Sequence, residues 1–303
     1  MKKLKSNLAE TSASYTFKSK FVNSSFIRFF TKFPMLFLAE LLFAVPLSIS
    51  IGLFALLGIS LGFNNILIWG LGIIPVFPLY AGLTMVIRKI SVEKVDIKVF
   101  QTFFASVKDN FKRFLIHGTA TYIIISCSFF TIIYYYTLAK NDITFGYVLT
   151  LYCIFIFILL TALFYIPLMT ITYDLSLKDI YKNSFLLVFG KILKNVITFL
   201  LLLIVSAITL LALIYSQGIL LIIVAVLSVL LYPLIASYLI VSLISKPLQD
   251  TVGAFVGVSV EKSSKEEEEF LMQTISENTT DDYVFVNGRM VKNPNKVSKN
   301  GEE

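Results

Sequence analysis

Apolar residues along this chain collect into six long runs, 36–63, 66–87, 114–138, 147–173, 196–215 and 218–245, and polar residues crowd into the connections. A hydrocarbon core of about 30 Å is crossed by about 20 residues of helix, and every run reaches that length. The pattern predicts an all-α polytopic membrane protein with six transmembrane helices arranged as three hairpins. A transmembrane barrel would need short alternating segments between polar turns, and none is present.

Two of the connections have a helical period of their own. After the second run, Ile97, Phe100, Phe104, Val107, Phe111 and Phe114 share a face, with Lys98, Lys108 and Lys112 elsewhere. After the fourth, Leu177, Ile180, Tyr181, Phe185, Val188 and Ile192 form the stripe, and Ser176 and Asp179 are spaced as a capping box. The two stretches align at an offset of 81, pairing Phe100 with Tyr181, Phe104 with Phe185, Val107 with Val188 and Arg113 with Lys194. A third helix is predicted before the first span, with Phe26, Phe29, Phe30 and Phe33 opposite Arg28 and Lys32. All three read as cytoplasmic amphipathic elbow helices on the anionic inner leaflet. The chain thus divides into a basic segment 1–35, a six-helix domain 36–245 and a tail 246–303.

Charge orients this arrangement. Seven Lys/Arg lie between Met1 and Met35, seven from Arg88 to Arg113 and four from Asp174 to Asn195, whereas the other three connections hold only Lys140. Positive residues near a span resist translocation, so both termini are expected in the cytoplasm of a cytoplasmic-membrane protein. Trp69, Tyr134, Tyr135, Tyr136, Tyr147, Tyr152 and Tyr215 near the opposite ends fit an outer aromatic belt. The N-terminal stretch lacks an apolar core and cleavage site, so a cleaved signal peptide is not expected. A composition 57% hydrophobic and 15% charged, with mean hydropathy +0.82, agrees with the membrane class. The net charge of +7 is accounted for by orientation, and nucleic acid is not implied.

The tail differs in kind. It carries seven positive and eleven negative residues, with an acidic run from Glu266 to Glu269. Tyr283-Val284-Phe285-Val286, Asn287-Gly288 and Arg289-Met290-Val291 predict a hairpin over 283–292, because Asn-Gly suits a type I′ turn.

Pro78-Leu79-Tyr80-Ala81-Gly82-Leu83-Thr84 with Arg88-Lys89 and Asn110-Phe111-Lys112, and then Tyr173-Asp174-Leu175-Ser176-Leu177-Lys178-Asp179-Ile180-Tyr181-Lys182-Asn183, resemble the YesL-like family. These are bacterial membrane proteins of unassigned function, common in Firmicutes. The resemblance runs from about Leu36 to Pro247 and departs from the family pattern at Phe77, Leu79 and Tyr80, where smaller residues are usual around the proline. It implies a six-span bundle and an association with carbohydrate-uptake loci, without site residues.

Few residues offer chemistry. The spans are nearly free of Asp, Glu, Lys and Arg, which argues against an ion-coupled carrier. Glu40 is the exception, read either as pairing with an interfacial lysine or as an ion or substrate contact. Pro78, Pro167 and Pro233 occupy related places in the even-numbered spans, as packing kinks or as hinges. Asp174 and Lys178 fall in the second stretch of family resemblance. His117 reads as an interfacial or helix-packing residue, and Cys127 and Cys153 as small buried hydrophobes. One His and two Cys do not make a zinc site, and no phosphate-binding loop is present. No cofactor, metal or catalysis is expected. The sequence favours a non-catalytic accessory or scaffold protein with a membrane or cytoplasmic protein partner, with a facilitator or carrier for a small neutral solute as the alternative.

Overall fold

In the computed structural model the described residues are 25–63, 65–253, 283–286 and 289–292. The basic residues before Ser25, the acidic run Glu266 to Glu269 and the Asn287-Gly288 pair lie outside them. The chain divides into two units, Met1–Leu248 and Gln249–Glu303.

The regular elements among the described residues of the first unit are all helices. In order come α1 (Ser25–Thr31), α2 (Phe33–Ser60), α3 (Ile66–Gly70), α4 (Ile73–Arg88) with a π-helical turn Lys89–Glu93, α5 (Val99–Ala139), α6 (Thr144–Thr172), α7 (Leu177–Gly190), α8 (Ile192–Tyr215) and α9 (Gly218–Leu248). Six of these, α2, α4 together with its π-helical turn, α5, α6, α8 and α9, are long and apolar enough to cross a membrane. The protein is a multi-pass membrane protein. In the second unit a π-helical turn, Gln249–Gly253, is followed by antiparallel strands β1 (Tyr283–Val286) and β2 (Arg289–Lys292), with Val286 opposite Arg289.

Two boundaries differ from the expected ones. The run 66–87 is split into α3 and α4 at Leu71–Gly72, where Gly72 sits against the α2 backbone so closely that a Cβ would lie 2.7 Å from Ile51. Pro75 then falls in the first turn of α4, where its missing N–H costs no helical bond. The elbow helix expected after the second span is continuous with the third: α5 runs unbroken for 41 residues, and a rise of ~1.5 Å per residue makes it roughly 60 Å long. The apolar stripe of its first half also splits, with Phe103, Val107 and Phe114 buried and Phe100, Phe104 and Phe111 about half exposed. The fourth connection does form a separate helix, α7, begun by Ser176 accepting from the Asp179 amide at 3.2 Å.

The core lies around α4, which packs on α2, α5, α6 and α9. Its closest partner is α5, and glycine sets the approach from both sides. A Cβ on Gly82 would lie 2.6 Å from the Phe103 ring, and one on Gly118 would lie 2.5 Å from Cβ of Phe77. By contrast α8 buries little beyond Asn195, Thr198 and Leu202, and it packs chiefly on α9. Leu200, Leu203, Ile204, Ile208 and Leu211 are exposed around its length. An all-round apolar helix of that kind has lipid as its solvent. Cys127 and Cys153 are free and exposed rather than buried. They sit on apolar faces of α5 and α6 that the bundle leaves uncovered, where a small thiol is as compatible with lipid as with a core.

Candidate functional site

The prolines of the even-numbered spans lie at or beside two adjoining cavities. Phe77, next to Pro78, lines both, and so do Tyr80 and Ile240. The first cavity, about 180 Å³, is walled by Pro167 of α6, His117 of α5 and Tyr181 of α7. The second, about 260 Å³, is walled by Phe43 of α2 and by Pro233 and Ser237 of α9. Pro167 and Pro233 line these cavities and Pro78 adjoins them through Phe77; a proline inside a helix removes one backbone donor. Tyr80 stands between the cavities, its hydroxyl 3.1 Å from that of Ser237 and its carbonyl accepting from the Thr84 hydroxyl at 2.7 Å.

A polar chain borders the first cavity. The Thr170 hydroxyl donates to the Ile166 carbonyl at 2.7 Å, so its oxygen accepts from Nε2–H of His117 at 3.0 Å. The other ring nitrogen, Nδ1, then accepts from the Tyr181 hydroxyl at 2.9 Å. Burial pushes the Tyr181 phenol above its ordinary pKa, which keeps that donor proton in place. This arrangement ties α5 to both α6 and α7. His117 is 2% exposed and fully satisfied, a helix-packing role.

Asn195 forms the second buried network. Its amide nitrogen donates to the carbonyls of Leu187 at 3.0 Å and Val188 at 2.9 Å, and its amide oxygen accepts from the Tyr165 hydroxyl at 2.6 Å. The last carbonyls of a helix have no partner within it. From the first turn of α8, Asn195 supplies that partner for Val188 and a second donor for Leu187, which also accepts from the Lys191 amide at 3.1 Å.

Of the candidate residues, Glu40, Pro78, Pro167 and Pro233 belong to this central region. Glu40 is 0% exposed, and neither carboxyl oxygen has a hydrogen-bond partner. Its expected lysine partner is absent: the ion pairs among the described residues are Lys32–Asp96, Arg88–Glu93 and Arg113–Asp174. Asp174 lies at the charged end of the bundle, 3.2 Å from Arg113 with its side chain 98% exposed, a geometry worth little energetically. Lys178 is exposed on α7. Ser237 and Asn195 were not singled out by the sequence, and Tyr80 and Tyr181 stood out only through the family stretches and the apolar stripe. The available signal was polar residues recurring within apolar runs, and it does not distinguish a cavity wall from the ordinary bonding of span hydroxyls to backbone. Ser206 and Thr209 do the latter, donating to the Leu202 and Val205 carbonyls at 2.7 and 2.9 Å.

Residues 36–132 match the family described as "Protein of unknown function, DUF624". That stretch includes Glu40, Pro78, Tyr80 and His117 and ends before Pro167, Tyr181 and Pro233. No curated protein and no solved structure matches the chain.

Proposed function

We propose that this membrane protein resides in the cytoplasmic membrane with both termini inside, and that it acts as a non-catalytic accessory or scaffold for a membrane or cytoplasmic protein partner. One observation carries the reading: charged side chains gather at one end of the bundle, beside exposed aromatic rings. Phe100, Phe104 and Phe111 are exposed on the same half of α5 as exposed Lys108 and Lys112, and α7 presents Lys178 and Lys182. Rings that enter the headgroup region, with lysines beside them, suit anionic inner-leaflet lipid and leave a basic surface toward the cytoplasm. The resemblance to the YesL-like family supports an uptake system, for carbohydrate in particular, as the partner. Cross-linking in native membranes should recover a discrete partner with the whole chain and lose it when Lys108, Lys112, Lys178 and Lys182 become Glu. Truncation after Glu277 should reduce recovery if the tail contributes. Saturable solute flux through proteoliposomes of the purified chain, with no partner recovered, would overturn the reading. A facilitator for a small neutral solute is the second reading, supported by the paired cavities at the three prolines.

A further inference from the structure

Glu40 poses a physical problem that neither reading uses. Its carboxyl is fully buried without a hydrogen-bond partner, and the described ion pairs all join other residues. Burying a carboxylate with nothing to compensate it is among the costliest arrangements a protein can hold, and within a membrane span it is a mark of function.

Its surroundings indicate what would compensate it. Positions 40, 43 and 47 share a face of α2, and Phe43 and Leu47 wall the cavity of about 260 Å³. Glu40 itself has no exposed surface and does not line the cavity; it sits one helical turn before Phe43 on that face. Around that cavity the Tyr80 ring lies 5.6 Å from Phe43 and 5.5 Å from Phe77. No Lys, Arg or His borders it. An alkali ion would need several oxygen ligands, but the wall is mainly apolar, and the Tyr80 and Ser237 hydroxyls are bonded to each other at 3.1 Å. A neutral solute would bring Glu40 no counter-charge. A cation with an apolar skin meets both conditions, because aromatic faces attract its charge and a buried carboxylate neutralises it.

We propose that Glu40 and the cavity walled by Phe43, Phe77 and Tyr80 form a binding site for a small organic monocation, an alkylammonium or quaternary ammonium group. Glu40 supplies the counter-charge and the three rings supply the cage. The site is independent of whether the basic end of the bundle docks a partner.

The test is calorimetric binding to the whole chain in lipid nanodiscs, with choline, tetramethylammonium and phenethylammonium as probes. The neutral comparator is 3,3-dimethylbutan-1-ol, the carbon analogue of choline. At least one cation should bind saturably, and Glu40→Gln and the neutral analogue should each weaken binding by roughly tenfold or more. Phe43→Leu, which keeps the carboxyl, should weaken it by a smaller factor and serves if Glu40→Gln does not insert. Equal binding of choline and its neutral analogue, binding indifferent to both substitutions, displacement by equimolar sodium, or no saturable binding of any of the three cations would each overturn the proposal.

Discussion

The segment after α4 and the segment after α6 begin from the same pattern and end in different shapes. Aligned at the offset of 81, each has an apolar stripe with lysines beside it and then a span. In the first, both parts form the single rod α5, whereas in the second the chain breaks at Gly190–Lys191 into α7 and α8. Two positions in the alignment separate them: Asp109 stands opposite Gly190, and Phe114 opposite Asn195. Lys191 leaves the helical region at φ −131°, ψ 38°, and Asn195 reaches back to the carbonyls of Leu187 and Val188. Phe114, fully buried with its ring 6.2 Å from Phe77, has neither donor nor acceptor. The carbonyls before it must find their partners along the helix itself. One buried amide thus decides whether an amphipathic stretch and its span form one element or two.

The strongest way to break this contrast is at the amide. Asn195→Leu leaves the Val188 carbonyl and the Tyr165 hydroxyl without their partner and takes one of two donors from the Leu187 carbonyl, which keeps the Lys191 amide, and should cost about 3 kcal/mol. The expected readouts are a lower melting temperature in detergent and a lengthened or broadened spin-label distance between positions 182 and 200. An unchanged distance distribution would show that the break is held elsewhere.

On the unbroken side the rod depends on its fit to α4. Gly118→Val adds methyls where even a Cβ comes within 2.5 Å of Phe77, and should cost about 2 kcal/mol while α5 stays helical. Loss of thermal stability with unchanged circular dichroism would confirm that docking, not helix continuity, is at stake there. Preserved stability would mean that Phe77 yields freely.

A smaller effect sharpens the same comparison. Nothing lies within 4 Å of a Cβ placed on Gly190, so Gly190→Ala should stabilise by up to about 1 kcal/mol with the break retained. Straightening, seen as a longer 182–200 distance, would transfer responsibility from Asn195 to the glycine.

The least effect is expected where exposed ion pairs flank the two segments, Lys32–Asp96 ahead of α5 and Arg113–Asp174 ahead of α7. The hydrogen bond and charge of Lys32 hold the Asp96 carboxyl below its usual pKa. A carboxyl with a depressed folded-state pKa contributes above its unfolded value of about 3.9 and loses that contribution as pH falls below it. Melting temperature should therefore be the same in wild type and Asp96→Asn at pH 7 in high salt. A separation at neutral pH that survives salt would mean the pair is better shielded than its exposure indicates.

Much of the fold was legible because its causes are local. Run lengths placed the spans, and the spacing of Ser176 and Asp179 placed the start of α7. The split at Leu71–Gly72 was not legible, since it depends on how closely Gly72 meets Ile51 across the bundle. The candidate site was legible only in part. Glu40 and the three prolines stand out from apolar surroundings, but Tyr80, Ser237 and Tyr181 gain their meaning from partners up to 157 residues away. Among the described residues no lysine pairs with Glu40, because a basic residue near in sequence can point along the charged end of the bundle, as Lys32 does toward Asp96.

By itself the sequence determined that this chain crosses a membrane as helices, because hydrocarbon thickness sets the length of an apolar run and the backbone must satisfy its own hydrogen bonds there. Tertiary structure alone decided that the proline-containing helices leave adjoining cavities around Tyr80, that Glu40 is closed off beside them without a partner, and that Asn195 divides one repeat where Phe114 leaves the other whole. Those outcomes depend on which side chains meet across helices, and periodicity within a helix assigns a residue to a face without naming what the face will touch.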